Sequence, residues 1–515
     1  MPFESVGISD PPLTRPAPVR PTPASPRRAG FRPDVQGLRA IAVLAVVAYH
    51  ARFPGMHGGF VGVDVFFVIS GFLITGLLVA DVERTGKVSF REFYARRARR
   101  ILPAAILALL VTLFVSYLVL PPLQIPGAAR DAVAAAVFVA NFRFAAQSTD
   151  YLGAHAAPTP FQHYWSLSVE EQFYLVWPAL LHVAAVLGRR RARAVMTGLM
   201  AVIAAGSLAA CVLLTHSSEP TAFYLLPSRA WELAFGGLLA LAGSPLVRLP
   251  RPAAALLGWA GLAAIVWSVF SYGGATAFPG WAATVPVLGA AALIASGTRS
   301  GGAARHGPTG LLGTKPLQSL GRVSYSWYLW HWPALVLGAV LLGDGVATRI
   351  AMVALSLGLA YLTQRLVEDP VRRARGLLRA PRATITAGVA LSAAAALIGV
   401  FAIQSAPRPV GHAAPVAAPR LLDAKSGVSV PTSSERTAAP SRFAALQSLE
   451  KPIQRVLSGA AKPSGVPSNL TPSLSGARLD QQKPFFDGCD LSFTSATSGA
   501  CTYGDTAANR TIVAF

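Results

Sequence analysis

ARDAVAAAVFVANFRFAAQ, residues 129–147, decides how the rest of this chain is threaded. The stretch is apolar enough to compete for a place in a bilayer. It also carries Arg130, Asp131 and Arg143, and ionised groups at bilayer depth are costly. Read as an interfacial or re-entrant helix, it returns the chain to the side it came from. Read as a span, it inverts the sidedness of everything after it.

Working outward, apolar runs long enough to be helical spans fall near residues 38–54, 60–81, 101–120, 165–187, 194–215, 229–244, 253–271, 281–297, 324–342, 347–367 and 383–403. A run of about 20 apolar residues crosses the hydrocarbon core as a helix. Lysine and arginine test the eleven-span reading. With the N-terminus inside, the inner segments 1–37, 82–100, 188–193, 245–252, 298–323 and 368–382 hold 27 basic residues. The outer segments 51–59, 121–163, 216–228, 272–280 and 343–349 hold four. This is the asymmetry that orients membrane proteins. It supports an interfacial or re-entrant 129–147, a cytoplasmic N-terminus and an extracytoplasmic C-terminal part.

Composition points the same way. The 515 residues are 53% hydrophobic and 13% charged, with mean hydropathy +0.48. A soluble domain carries about 25% charged residues. The net charge of +22 would suggest nucleic acid in a soluble chain. Here the arginines lie in short patches between apolar runs, so they mark topology and contact lipid headgroups, not nucleic acid. The expected fold is an all-α polytopic protein of the cell membrane. Residues 1–30, rich in Pro and Arg without an apolar core, read as a disordered cytoplasmic tail and not as a signal peptide. Residues 404–484 are Pro-, Ser- and Ala-rich and read as a linker. Residues 485–515 change character, with aromatics, Cys489, Cys501 and a β-rich TIVAF. The two cysteines can pair if this part lies outside the cytoplasm. Cys211, inside an apolar run, is expected only to pack.

Ionisable residues within the apolar runs are functional candidates by default. GLRAIAVLAVVAYH, residues 37–50, opens on Arg39 and closes on His50. Eleven residues of helix cover about 16 Å and come within about 20° of whole turns. One helix face thus offers a cation near the cytoplasm and an imidazole deeper in. GGFVGVDVFFVISGFLITGLL, residues 58–78, contributes Asp64, expected to partner a buried cation, and the small pair Ser70-Gly71, suited to close helix approach. FREFYARRARRILPA, residues 90–104, sets arginines at the inner face, where guanidinium forks can bind phosphates. HYWSLSVEEQFYLVWPALL, residues 163–181, supplies Trp165 as a path-lining residue and the carboxyl groups of Glu170 and Glu171. Either could orient an imidazole. GRVSYSWYLWHWPALV, residues 321–336, buries a second histidine, His331.

Taken in order, LRAIAVLAVVAYH, GVDVFFVISGFLIT, FYARRARRILPA, YWSLSVEEQFYLVWP, SYSWYLWHWP and VEDPVRR resemble the membrane acyltransferase family 3, over about residues 31–380. The resemblance implies a ten-helix module that takes an acyl group, usually acetyl from cytosolic acetyl-CoA, and delivers it to a cell-envelope glycan outside. No metal is implied. Arg39 and His50 match the family's Arg-x10-His pair. Arg97 and Arg100 match its Arg-x-x-Arg motif, with Arg96 and Arg99 as a second register. On this reading His50 is general base or transient acyl carrier, Glu170 or Glu171 its orienter, and the arginines ligands for coenzyme A phosphates. The eleventh span, 383–403, and the tail resemble a fused subgroup bearing an outer SGNH-type domain. Its Gly-Asp-Ser motif is expected directly after TIVAF, where the sequence stops, since Gly504-Asp505 is followed by Thr506 and precedes that strand. The outer domain is therefore expected to be truncated, or supplied by a separate protein. The rival class is a transporter or flippase of a charged metabolite, whose path the same residues would line. An internal repeat would favour it, and none is evident.

Overall fold

The structure, a computed structural model, describes residues 31–149, 158–247, 249–298 and 307–407. The tail 1–30 and everything from 408 on, which takes in most of the linker together with Cys489 and Cys501, lie outside the described residues. Among those residues the secondary structure is helical throughout. In chain order the helices are α1 Pro33–His50, α2 Gly62–Thr85, α3 Phe90–Val119, α4 Ile125–Ala136, α5 Ala140–Thr149, α6 Tyr164–Gly188, α7 Ala192–Ser217, α8 Glu219–Tyr224, α9 Leu226–Val247, α10 Arg251–Ser271, α11 Thr284–Thr298, α12 Pro308–Leu312, α13 Lys315–Leu342, α14 Val346–Thr363, α15 Asp369–Arg373, α16 Arg375–Arg379 and α17 Pro381–Gln404. Each of the eleven apolar runs falls mainly within one of them. Among the described residues, six continuous helical segments are both long and apolar enough to cross a membrane: Gly59–Thr85, Phe90–Val119, Tyr164–Ser217, Arg251–Ser271, Val346–Arg373 and Pro381–Gln404.

The stretch 129–147 is two short helices, not one long one. At 1.5 Å per residue the 12 residues of α4 reach about 18 Å, well short of the roughly 30 Å hydrocarbon core. The chain breaks at 137–139, where Phe138 takes φ 57°. Gln172 of α6 covers the break, donating to the Phe138 carbonyl at 2.9 Å and to Asn141 Oδ1 at 2.8 Å. Arg143 of α5 pairs with Asp131 of α4, and Gln147 donates to the same carboxyl oxygen at 3.2 Å. The charges that made a span implausible instead pin the two helices together.

Two apolar cores flank a central pair of helices. Val43, Val46 and Val47 of α1 and Phe67, Ile74 and Leu78 of α2 face one core with α3, α6 and α13. Val35, Leu38 and Ala42 of α1 and Val65, Val68 and Ile69 of α2 face the other with α10 and α11. Helices α1 and α2 are therefore interior on both sides, so the polar groups they carry are held inside the bundle. Gly71 and Gly236 let α2 and α9 meet backbone to backbone. A Cβ at Gly71 would strike the Leu233 carbonyl, and one at Gly236 the Val68 carbonyl. Helix α17 docks on α3 and α4, with Gly388 against Leu102 and Gly399 against Val133.

Candidate active site

His50, the last residue of α1, meets His331 in the middle of α13. His50 Nδ1 lies 2.9 Å from His331 Nε2, with the rings 21° from parallel. His331 Nδ1 is 2.7 Å from the Tyr328 carbonyl oxygen and 3.2 Å from that of Trp327. A carbonyl can only accept, so His331 Nδ1 carries its proton. In the neutral ring Nε2 is then the acceptor, and His50 Nδ1 must donate to it. The lone pair of His50 is left on Nε2, the atom not committed to His331. Trp332 packs on the His50 ring at 4.5 Å and is fixed by its own N–H bond to the Thr159 carbonyl, 2.8 Å. The arrangement presents one imidazole nitrogen as base or nucleophile and holds the ring by its opposite edge.

Two cavities approach this pair. One is lined by Arg39, Arg97, Arg100, Ser70, Glu170 and Tyr174. The other is lined by His50, His163, Gln162, Tyr224, Arg229 and Trp332, among other aromatic side chains. Val63 and Tyr328 line both, so the two share a wall beside the histidines. The cationic cavity lies at the Arg39 end of α1 and the aromatic one at the His50 end.

Helix α3 sorts its arginines by face. Arg97 and Arg100 line the cationic cavity. Arg97 is 9% exposed, with its guanidinium 5.2 Å from the Tyr174 ring centre and 5.9 Å from that of Phe93. Arg96 is turned to Asp81, 3.4 Å, and Glu92, 3.6 Å. Arg99 donates to the Leu377 carbonyl at 2.9 Å. The first register therefore faces the cavity, and the second serves packing around it.

The family model for an acyltransferase domain matches residues 32–365, which include all of these groups. The chain belongs to the acyltransferase domain family. It is 33% identical over 366 residues to the peptidoglycan O-acetyltransferase OatA of Listeria monocytogenes, covering 67% of this chain and 56% of that protein. It is 34% identical over 371 residues to the putative peptidoglycan O-acetyltransferase YrhL of Bacillus subtilis, covering 66% and 55%. It is 32% identical over 365 residues to the O-acetyltransferase OatA of Staphylococcus aureus, covering 68% and 58%. The chain thus spans a little over half the length of these curated relatives. No solved structure matches it. Helix α17 lies beyond the matched acyltransferase domain.

Within the acyltransferase domain the carboxyl groups sit apart from the place the sequence suggested for them. The ring that contacts His50 Nδ1 is that of His331, and neither Glu170 nor Glu171 hydrogen-bonds His50 among the described contacts. Glu170 lies in the cationic cavity and accepts from Ser70 Oγ at 2.6 Å. Tyr174 OH is 2.7 Å from the same Ser70 oxygen. The single serine proton goes to the carboxyl, so the tyrosine donates, and a directed chain runs Tyr174 to Ser70 to Glu170. Glu171 is outside the cavity lining, and its Oε1 is buried without a hydrogen-bond partner. Asp64 has its cation: Arg229 of α9 lies 3.0 Å from it and 3.0 Å from Glu232, and all three are buried. The rings of Phe67, Trp165, Phe223 and Phe278 surround that guanidinium at 5.5–5.9 Å. Trp165 is thus both cage and cavity wall. Gly71 belongs to the α2–α9 crossing.

Sequence reading passed over His163, Tyr174, Tyr328, Arg229 and Glu232. The first three stood inside quoted motifs, but their partners lie on other helices. Arg229 and Glu232 open the span at 229–244 with the i, i+3 spacing of a helical pair, a signal that was available.

Proposed function

We propose that this chain moves an acetyl group from cytosolic acetyl-CoA to a hydroxyl of a cell-envelope glycan on the outer side, the chemistry named for its peptidoglycan-acetylating relatives. The observation that carries the reading is a cationic and an aromatic cavity that share Val63 and Tyr328 as a wall, next to the paired rings of His50 and His331. Arg39, Arg97 and Arg100 would hold the phosphates of coenzyme A from the cytoplasm. The pantetheine arm has about twelve chain bonds, the equivalent of four extended residues, and reaches about 14 Å. The Arg39-to-His50 rise is about 16 Å. The two lengths are comparable, so phosphates at the arginines would bring the thioester to the neighbourhood of the histidine. The outer cavity, walled by aromatic rings beside polar groups, would take the sugar.

In this reaction His50 Nε2 accepts the proton of the acceptor hydroxyl as its oxygen attacks the thioester carbon, or attacks that carbon itself before passing the acyl group on. The sidedness follows the charge asymmetry, with the N-terminus inside and residues from 404 on outside. Those residues are proposed to be a linker leading to an SGNH-type domain, in cis or in trans. The test uses purified protein in lipid nanodiscs. Release of coenzyme A from acetyl-CoA, together with acetylated envelope glycan in cells that depends on the protein, supports the proposal. Coenzyme A release absent under all conditions refutes it in favour of transport.

A further inference from the structure

We infer that His163 is a catalytic hydrogen-bond donor to the acyl carbonyl oxygen, a role distinct from that of His50. The inference rests on the acyl-transfer reading above.

His163 is 3% exposed and lines the outer cavity with His50. Its ring centre lies 5.9 Å from that of His331, and His50 lies 5.1 Å from His331. His331 is thus in contact with both. Neither ring nitrogen of His163 has a hydrogen-bond partner. The carbonyls of Pro160 and Leu329 flank the ring without meeting hydrogen-bond geometry. Buried polar atoms without partners are uncommon and call for an explanation. A ligand atom in the aromatic cavity that His163 lines supplies one.

The position of the residue adds a second reason. His163 is the N-cap of α6, a 25-residue helix, and negative charge is stabilised at a helix N-terminus. The backbone there is held in place: Tyr328 OH donates to the His163 carbonyl at 3.0 Å. Tyr328 belongs to the wall shared by both cavities and to the helix that carries His331. The donor is therefore fixed to the helix of His331 through Tyr328, and His331 in turn contacts the base His50.

The chemistry needs such a group. The acceptor oxygen bonds to the thioester carbon, His50 Nε2 takes the hydroxyl proton, and the carbonyl π pair moves onto oxygen. That oxyanion is where charge develops, and a preorganised N–H is worth most there. A neutral imidazole always has one N–H to give. Collapse of the intermediate breaks the C–S bond, and the thiolate leaves with the proton from the His50 imidazolium as coenzyme A thiol. If His50 first becomes acylated, the same oxyanion forms and the same donor serves.

The test compares His163→Phe, which keeps a ring in the space without a donor, with His163→Gln, which keeps a donor. Both are made in the full chain in nanodiscs, with folding checked by thermal melting and acetyl-CoA binding by calorimetry. The expected result is a fall in kcat of about 100-fold for His163→Phe, with acetyl-CoA affinity within twofold of wild type, and at least tenfold recovery in His163→Gln. A folded His163→Phe protein with kcat within threefold of wild type overturns the inference. So does a His163→Gln protein no better than His163→Phe. If either variant fails to fold, urea-free imidazole rescue of a His163→Gly protein decides instead: restored turnover supports the donor role, and none overturns it. Failure of the wild-type chain to release coenzyme A would refute the acyl-transfer reading itself, a different result from all of these.

Discussion

At the scale of single residues, the sequence marked Arg39 and His50 because an arginine and a histidine on one face of an apolar helix are too costly to be idle. It could not mark the partner of His50. A hydrogen bond between residues 281 positions apart has no local signature, and a nearby carboxyl pair was the closest substitute. The predictions follow from the geometry. His50→Ala removes the base and lowers acyl transfer by at least about 100-fold while the protein still folds, as turnover and melting assays will read. His331→Ala leaves His50 untethered. It loses a bond worth about 1.5–3 kcal/mol once the ring is charged, about 10- to 100-fold in kcat, with acetyl-CoA affinity unchanged. The arginine register gives a sharper contrast. Arg97→Ala weakens acetyl-CoA binding by about tenfold or more, and Arg97→Lys restores it only in part because lysine has no fork. Arg96→Ala, which breaks contacts to Asp81 and Glu92 outside the cavity, leaves affinity within twofold. Equal losses at 96 and 97 by calorimetry would mean that both act only through net charge.

At the scale of elements, hydropathy located each long helix, because burial in lipid leaves a composition that can be read in one dimension. The pairing of helices was not legible. That α2 crosses α9 at Gly71 and Gly236 depends on two glycines far apart in sequence. Gly71→Val forces the backbones apart and should cost about 1–3 kcal/mol, seen as a lower melting temperature with acetyl-CoA affinity lost only as folding is lost. A second element-scale feature ties the two histidine-bearing helices at their C-terminal ends. Arg52, just after α1, lies 2.5 Å from Asp344, just after α13, and Arg349 holds the same carboxyl at 2.7 Å. The hydrogen bond from Arg349, with the charge of Arg52, holds the Asp344 carboxyl below its ordinary value. Such a group contributes fully above its unfolded pKa of about 4 and loses its contribution as pH falls through the lower folded value. The clasp therefore stays intact at neutral and mildly acidic pH. It is exposed, so its effect is small and screened by salt. Asp344→Asn is expected to change kcat by no more than about fivefold, with the difference shrinking at high salt. A loss as large as that of His331→Ala would make the clasp part of the catalytic geometry.

At the scale of the whole molecule, the distribution of 27 basic residues against four is the basis of the proposed orientation, and the break at 137–139 is compatible with the parity that this count requires. Single cysteines at Gly86, Gly343 and Ser405, in a background with Cys211, Cys489 and Cys501 all replaced by alanine, test it in intact cells. Gly343 and Ser405 should react with a membrane-impermeant maleimide from outside, and Gly86 only after lysis. Labelling of Gly86 and Gly343 from the same side would reverse the reading of 129–147. The broken pair α4–α5 was legible as not spanning, but not as two helices, because the Asp131–Arg143 pairing is visible only once the turn between them is formed.

The hydrogen bond from His331 to the Tyr328 carbonyl has a consequence for the energetics of the cell. A catalyst with a cavity open to each side of an energised membrane risks becoming a shunt for the proton-motive force. A chain of imidazoles is a good conductor if each ring can pass its proton onward. Here the chain His50 to His331 ends on an amide oxygen, which has no proton to release and nowhere to send one. The pair can hold a proton during turnover and return it only by the way it came. The pair thus offers no onward path for a proton beyond the Tyr328 carbonyl, and proteoliposomes carrying the wild-type chain should keep an imposed pH gradient as long as empty ones do.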